Sequence, residues 1–187
     1  MGRRKVEIMG YLRFAAIAVL AFGVSSYASL SVGERQVKAG VAYQGASTNS
    51  SNYRPGIGVN GFVGTDGTIL GAGGTAGMGV RANYEHYRVD GDIPSASDQD
   101  EGGIALTGMV GPNTSFFQPK LGGHVGYARL EENNYLDLGP DATADLKLTP
   151  QLGVHALITP SWFVTESHSN YFGTKLGLGV IWSIPGA

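Results

Sequence analysis

Residues 173–183 read GTKLGLGVIWS. Leu176, Leu178, Val180 and Trp182 fall on one parity, while Lys175, Gly177, Gly179 and Ser183 fall on the other. An extended chain sends successive side chains to opposite faces, so this stretch is a ribbon with one bulky apolar side and one small or charged side. The split recurs at 35–45, where Val37, Ala39, Val41 and Tyr43 oppose Gln36, Lys38, Gly40 and Gln44. It recurs at 76–88, with Met78, Val80, Ala82 and Tyr84 against Arg81, Asn83 and Glu85. At 117–129, Phe117, Leu121, Val125 and Tyr127 oppose Gln118, Lys120 and His124. Weaker alternation at 55–65, 103–111, 145–158 and 161–169 brings the expected strands to eight. No stretch carries the apolar stripe and caps of a helix, so the expected fold is all-β.

The second face decides between a soluble sandwich and a membrane barrel. A sandwich would put Lys, Glu, Thr and Ser on its wet face. Here that parity is mostly Gly and Ala, with isolated Lys, Arg, Glu, His and Gln. A narrow barrel accounts for the mixture, because its crowded interior is filled by side chains and tolerates charge only when paired. Charges facing hydrocarbon at mid-strand would each cost about 2–4 kcal/mol. Lys38, Arg81, Glu85, Lys120, His124, His155, Glu166, His168 and Lys175 are therefore expected to point inward as one polar network, leaving no wide pore.

Composition narrows the field further. The chain of 187 residues has 30 Gly and no Cys, which excludes disulfide and thiolate-metal scaffolds. Thirteen basic against 15 acidic side chains argue against a nucleic-acid surface. Residues 1–28 place Arg3, Arg4, Lys5 and Arg13 before an apolar run from Phe14 to Val24 and the small-residue ending at Ala28. That is the order of a cleaved signal peptide, with an uncleaved anchor as the alternative, and it leaves 29–187 as the barrel domain.

Long and short connections are expected to alternate. The long ones fall at 46–54, 89–102 and 130–144, the tight ones at 66–68, 112–115 and near 159–161, with a medium one near 169–172. The long loops would be extracellular, and two of them carry Asp90, Asp92, Asp98, Asp100 and Glu101, then Glu131, Glu132, Asp137 and Asp141. A solvated acidic rim is the first reading of these carboxylates, and a divalent-cation site the second. Tyr84, Tyr87, Tyr127, Trp162, Phe163 and Trp182 lie toward strand ends, where interfacial girdles form.

With GMGVRANYEHYRVDG at 77–91, FQPKLGGHVGYARLE at 117–131 and GTKLGLGVIWS at 173–183, the chain resembles the small eight-stranded outer-membrane barrels of the OmpA/OmpX type. The resemblance covers 35–184. It implies an up-and-down barrel in the bacterial outer membrane, in contact with lipid and lipopolysaccharide, with a structural role or partner binding through its loops. A monomer is expected, and no cofactor or metal.

Two other classes stay open: a soluble exported sandwich that binds a ligand, and a lipid A-modifying hydrolase. His168-Ser169-Asn170 is similar to the lipid A deacylase barrels, with Glu166 as orienter, His168 as base and Ser169 as nucleophile. In those barrels one residue separates His from Ser. Here the two are adjacent, and an extended strand sends them to opposite faces. His124 and His155 lack a placed third metal ligand. The glycine-rich GAGGTAGMG at 71–79 lacks the Lys-Ser/Thr of a phosphate loop, and Asn49-Ser-Ser and Asn113-Thr-Ser match a glycosylation triplet that arises by chance.

Overall fold

The computed structural model describes residues 35–48, 54–69, 73–89, 98–130, 133–165 and 170–185. Eight strands follow one another: β1 (Arg35–Thr48), β2 (Gly56–Ile69), β3 (Gly74–Tyr87), β4 (Gln99–Pro112), β5 (Phe117–Leu130), β6 (Asn133–Lys147), β7 (Leu152–Val164) and β8 (Tyr171–Pro185). Each pairs antiparallel with the next, and β8 returns to pair with β1. The all-β fold is thus an antiparallel, eight-stranded closed barrel. Its strands run 13–15 residues, longer than the 9–11 that a tilted bilayer crossing takes. The proposed leader at 1–28 lies outside the described residues.

Alternation sets the two faces of the wall. Lys120 is 5% exposed while its neighbour Leu121 is 68% exposed, and Lys175 is 4% exposed beside Leu176 at 57%. Val41, Val59, Val63, Ile104, Leu106, Ile158, Leu178 and Val180 likewise point out of the cylinder. The apolar face is outside and the polar face inside, the reverse of a water-soluble barrel.

The chain reverses at two unlike ends. At the turn end, 70–73, 113–116 and 148–151 are four-residue connections, and Gly73 takes a φ of 61°, which a residue without Cβ adopts freely. Leu148 and Thr149 donate to the Leu152 carbonyl, each at 2.9 Å, and close the last turn. At the loop end the connections are 49–55, 88–98, 131–132 and 165–170. Exposed Tyr43, Tyr84, Tyr127 and Trp162 ring the wall near the loop end, and Phe116, Phe117 and Trp182 near the turn end.

Several expected boundaries need correction. The turn at 66–68 is part of β2, because Asp66 turns inward to ion partners and the strand runs on to Ile69. The long loop at 130–144 is mostly β6. Its Asn, Asp and Pro residues read as loop formers, but Asp137 and Asp141 are buried against partners on other strands. The turn near 159–161 lies within β7, and the chain reverses at 148–151 instead.

Pro140 and Pro160 explain the last two misplacements. Pairing between β6 and β7 runs through Leu138↔Trp162 and resumes at Ala142↔Ile158 in the same register. That register sets Pro140 opposite Pro160, at the pair that would exchange both ladder hydrogen bonds. Neither proline has an N–H to give, so the ladder skips a rung there.

Small residues let the wall close tightly. A Cβ on Gly40 would lie 2.3 Å from the Phe62 ring and 2.8 Å from the Val180 carbonyl oxygen. The Phe62 ring fills that space and also meets the His155 ring at 4.9 Å between centroids.

Candidate functional site

The barrel interior holds three layers of buried polar side chains. Nearest the turn end, Lys38 from β1 lies 2.7 Å from Asp66 of β2 and 3.0 Å from Asp145 of β6. Lys120 of β5 ion-pairs with the same Asp66 and lies 3.7 Å from Asp145. His155 Nδ1 of β7 is 2.6 Å from Asp145, and Lys38 also donates to Gln118 Oε1 at 3.3 Å. Two ammonium groups, two carboxylates and one imidazole thus join five strands across the cylinder.

The middle layer centres on Asp141 of β6. Arg81 of β3 donates to Asp141 Oδ1 at 3.1 Å and to the Thr159 hydroxyl of β7 at 3.0 Å. His124 of β5 sits between two carboxylates, with Nδ1 3.0 Å from Asp141 and Nε2 3.0 Å from Asp137. Ser161 Oγ lies 3.2 Å from the same Nε2. Ser161, His124 and Asp141 therefore have the spacing of a Ser–His–Asp relay. The second carboxylate changes the chemistry: ionised carboxylates only accept, so an imidazole donating to both of them would have no lone pair left for the serine proton. The imidazole ties Asp137 and Asp141 into one layer.

The third layer, toward the loop end, is built around Lys175 of β8. Its Nζ is 3.0 Å from Glu85 of β3 and 2.7 Å from Glu101 of β4. Gln44 and Asn83 donate to Glu85, the latter at 2.9 and 2.7 Å to its two oxygens. The Tyr87 hydroxyl donates to Glu101 at 3.2 Å. Above this layer Phe163 and Tyr171 stack at 4.3 Å, with Tyr135 edge-on to both, and Lys175 Nζ lies 5.4 Å from the Phe163 centroid. Buried Ala128, Tyr135 and Phe163 form a small apolar cluster at this level.

A cavity of about 70 Å³ lies between the lower two layers, lined by Lys38, Asn60, Arg81, Asp141 and His155 among others. Asn60 Oδ1 and Asp141 Oδ2 find no protein donor there. The cavity is large enough to hold water, and Asn60 and Asp141 both belong to its lining.

Of the side chains expected to face inward, Lys38, Arg81, Glu85, Lys120, His124, His155 and Lys175 occupy these layers. Glu166 and His168, together with Ser169 of the hydrolase reading, lie outside the described residues; Asn170 accepts from the Thr165 backbone N–H at 3.1 Å. Glu101, Asp137 and Asp141, expected on loops, are instead buried anions of the interior. Asp98 and Asp100 are exposed near the loop end, whereas Asp90, Asp92, Glu131 and Glu132 lie outside the described residues. Sequence reasoning also missed Asp66 and Asp145. Asp137, Asp141 and Asp145 are spaced by four, a single parity that could have shown them as one face of a strand. Among the described residues no three His, Asp or Glu side chains are grouped to hold a metal ion.

The closed wall of eight strands matches known structures. Neisserial surface protein A shares 17% sequence identity over 82% of this chain and all of its own, with a TM-score of 0.55. The fold is that of the small eight-stranded outer-membrane barrels. A major outer-membrane protein of Thermus thermophilus superposes with a TM-score of 0.56 at 13% identity, covering 79% of this chain and 99% of its own. The attachment invasion locus protein Ail of Yersinia pestis, solved with the heparin analogue sucrose octasulfate, gives 0.51 at 12% identity over 82% of this chain and all of its own. No family model matches the chain, and no curated protein matches it in sequence. At these identities what is shared with the barrels is the path of the backbone.

Proposed function

We propose that this chain is an integral protein of the bacterial outer membrane, exported by its first 28 residues. It acts as a monomeric wall element whose loops meet partners at the cell surface, and it is not a wide pore. The reading rests on the outward belt of exposed Val, Leu, Ile and aromatic side chains contributed by every strand but β6. In water such a belt would be a very large exposed apolar patch, and hydrocarbon is the solvent that removes the cost. The three ion-paired layers support the second half of the reading, because side chains that neutralise one another across the cylinder fill an eight-stranded interior.

Heat-modifiable gel mobility tests the membrane half. Protein refolded into phospholipid vesicles should run differently unboiled than boiled, and should stay with the membrane fraction in cells. Identical mobility together with recovery from the soluble periplasm would overturn the reading. In planar bilayers the refolded protein should give no large, long-lived conductance steps; steps of porin size would remove the claim of a filled interior.

A further inference from the structure

Each cation of the three interior layers has a carboxylate. Lys38 and Lys120 share Asp66 and Asp145, Arg81 takes Asp141, and Lys175 takes Glu85 and Glu101. Lys147 differs. It ends β6 on the parity of Asp141 and Asp145, which puts it half-buried on the inner face at the turn end, and no described carboxylate pairs with it. Its backbone N–H donates to the Phe116 carbonyl at 2.9 Å, which seats it against the 113–116 turn. Asp145, two residues deeper on the same face, is held by Lys38 and His155, and Asp66 by Lys38 and Lys120. Among the described residues, three ammonium groups thus face two carboxylates at this end of the interior, and the unmatched one is at the mouth.

A cavity of about 140 Å³ opens there, lined by Lys147, Gln36, Asp66, Thr68, Asn113 and Ser115 among others. Strand register gathers part of that wall, setting Gln36 opposite Asp66. Two neighbouring side chains are spent on the wall itself: Gln118 Nε2 donates to the Thr114 carbonyl at 3.0 Å, and the Thr114 hydroxyl donates to the Phe117 carbonyl. The side chains of Gln36, Thr68, Asn113 and Ser115 have no such partner among the described residues. One ammonium, two amides and two hydroxyls are therefore left facing a single small space. The ammonium only donates, whereas amides and hydroxyls both donate and accept. That set complements one carboxylate with a peptide group behind it: the ammonium takes the charge, and the amides can meet both the N–H and the C=O that follow. A phosphate would bring a second negative charge to a place with one unmatched cation.

We infer that the turn-end mouth of the barrel binds the terminal carboxylate of a short peptide, with Lys147 as its counter-ion and Gln36 and Asn113 on the peptide group behind it. The inference rests on the membrane reading above only for its compartment, the periplasm. It gives the inner-facing end of the barrel a ligand of its own, apart from the loops.

The test uses the full-length protein refolded in zwitterionic detergent and titrated with N-acetyl-alanyl-alanine, its C-terminal amide and acetate, with the backbone amide NMR signals of Gln36, Asn113 and Lys147 as readout. The wild type should bind the acid about tenfold more tightly than the amide. Lys147→Met should lose that preference while keeping its heat-modifiable mobility, and Lys147→Arg should keep most of it. Equal binding of acid and amide by the wild type would overturn the inference, as would an undiminished preference in Lys147→Met. Acetate binding as tightly as the peptide acid would assign the mouth to the free ion and overturn the peptide as its occupant. Failure of the wild type to show a heat shift would instead strike the membrane reading itself, so the two failures are distinguishable.

Discussion

At Lys175 one ammonium group stands between Glu85 and Glu101, both fully buried, with a phenylalanine ring behind it. Removing one member of such a set leaves the others charged with no route to water, a loss of about 3–5 kcal/mol. Lys175→Met should therefore destabilise the folded barrel by about that amount in urea titrations in vesicles, and adding Glu101→Gln should recover part of it. A single variant within about 1 kcal/mol of wild type would show that the layer carries little of the stability. The cations of these layers were legible in the sequence, because a lysine opposite a row of leucines on a mid-strand has only one face open to it. Of their anions only Glu85 was; Asp66, Glu101, Asp137, Asp141 and Asp145 were not. Asp137 and Asp141 stand among Asn, Gly and Pro, the residues that also build loops, and local composition does not record that His124 awaits them on the neighbouring β5 or that Arg81 awaits Asp141 from 60 residues away.

Among the elements, the β6–β7 seam departs most from a regular ladder. The facing prolines withdraw two donors and leave two carbonyls without ladder partners, beside the inward side chains of Asp141, Thr159 and Ser161. Restoring both donors with Pro140→Val/Pro160→Val should stabilise the barrel by about 1–3 kcal/mol, the yield of two ladder bonds at about 0.5–1.5 kcal/mol each. Amide exchange at 138–142 and 158–162 should be faster in the wild type than at the centres of β1 and β8, and the double variant should slow it. Equal protection along both seams would mean that the skipped rung is bridged some other way. The same prolines show why strand boundaries were harder to read than strand number. Eight alternating segments are visible in the sequence, but a proline in a membrane strand looks like one in a turn until its neighbour across the sheet is known.

The molecule as a whole is an inside-out cylinder, and its stability should depend on depth. Leu178 lies at the middle of β8 and Ile184 near the turn end of the same strand, both facing outward. Leu178→Arg should cost about 2–4 kcal/mol in vesicles, whereas Ile184→Arg should cost about 0–1 kcal/mol. Equal penalties at the two sites would remove the bilayer as the cause. This level was the most legible of the three, because two-residue periodicity with glycine and charge on one side admits few architectures. Closure itself carries a consequence for manufacture. The first ribbon finds its second neighbour only when the last has been delivered, so every shorter length of nascent chain has two raw margins open to stray pairing. An escort that holds the unfinished polymer apart, and a final stitch made at its carboxyl-proximal ribbon, are what such a ring requires of the cell that builds it.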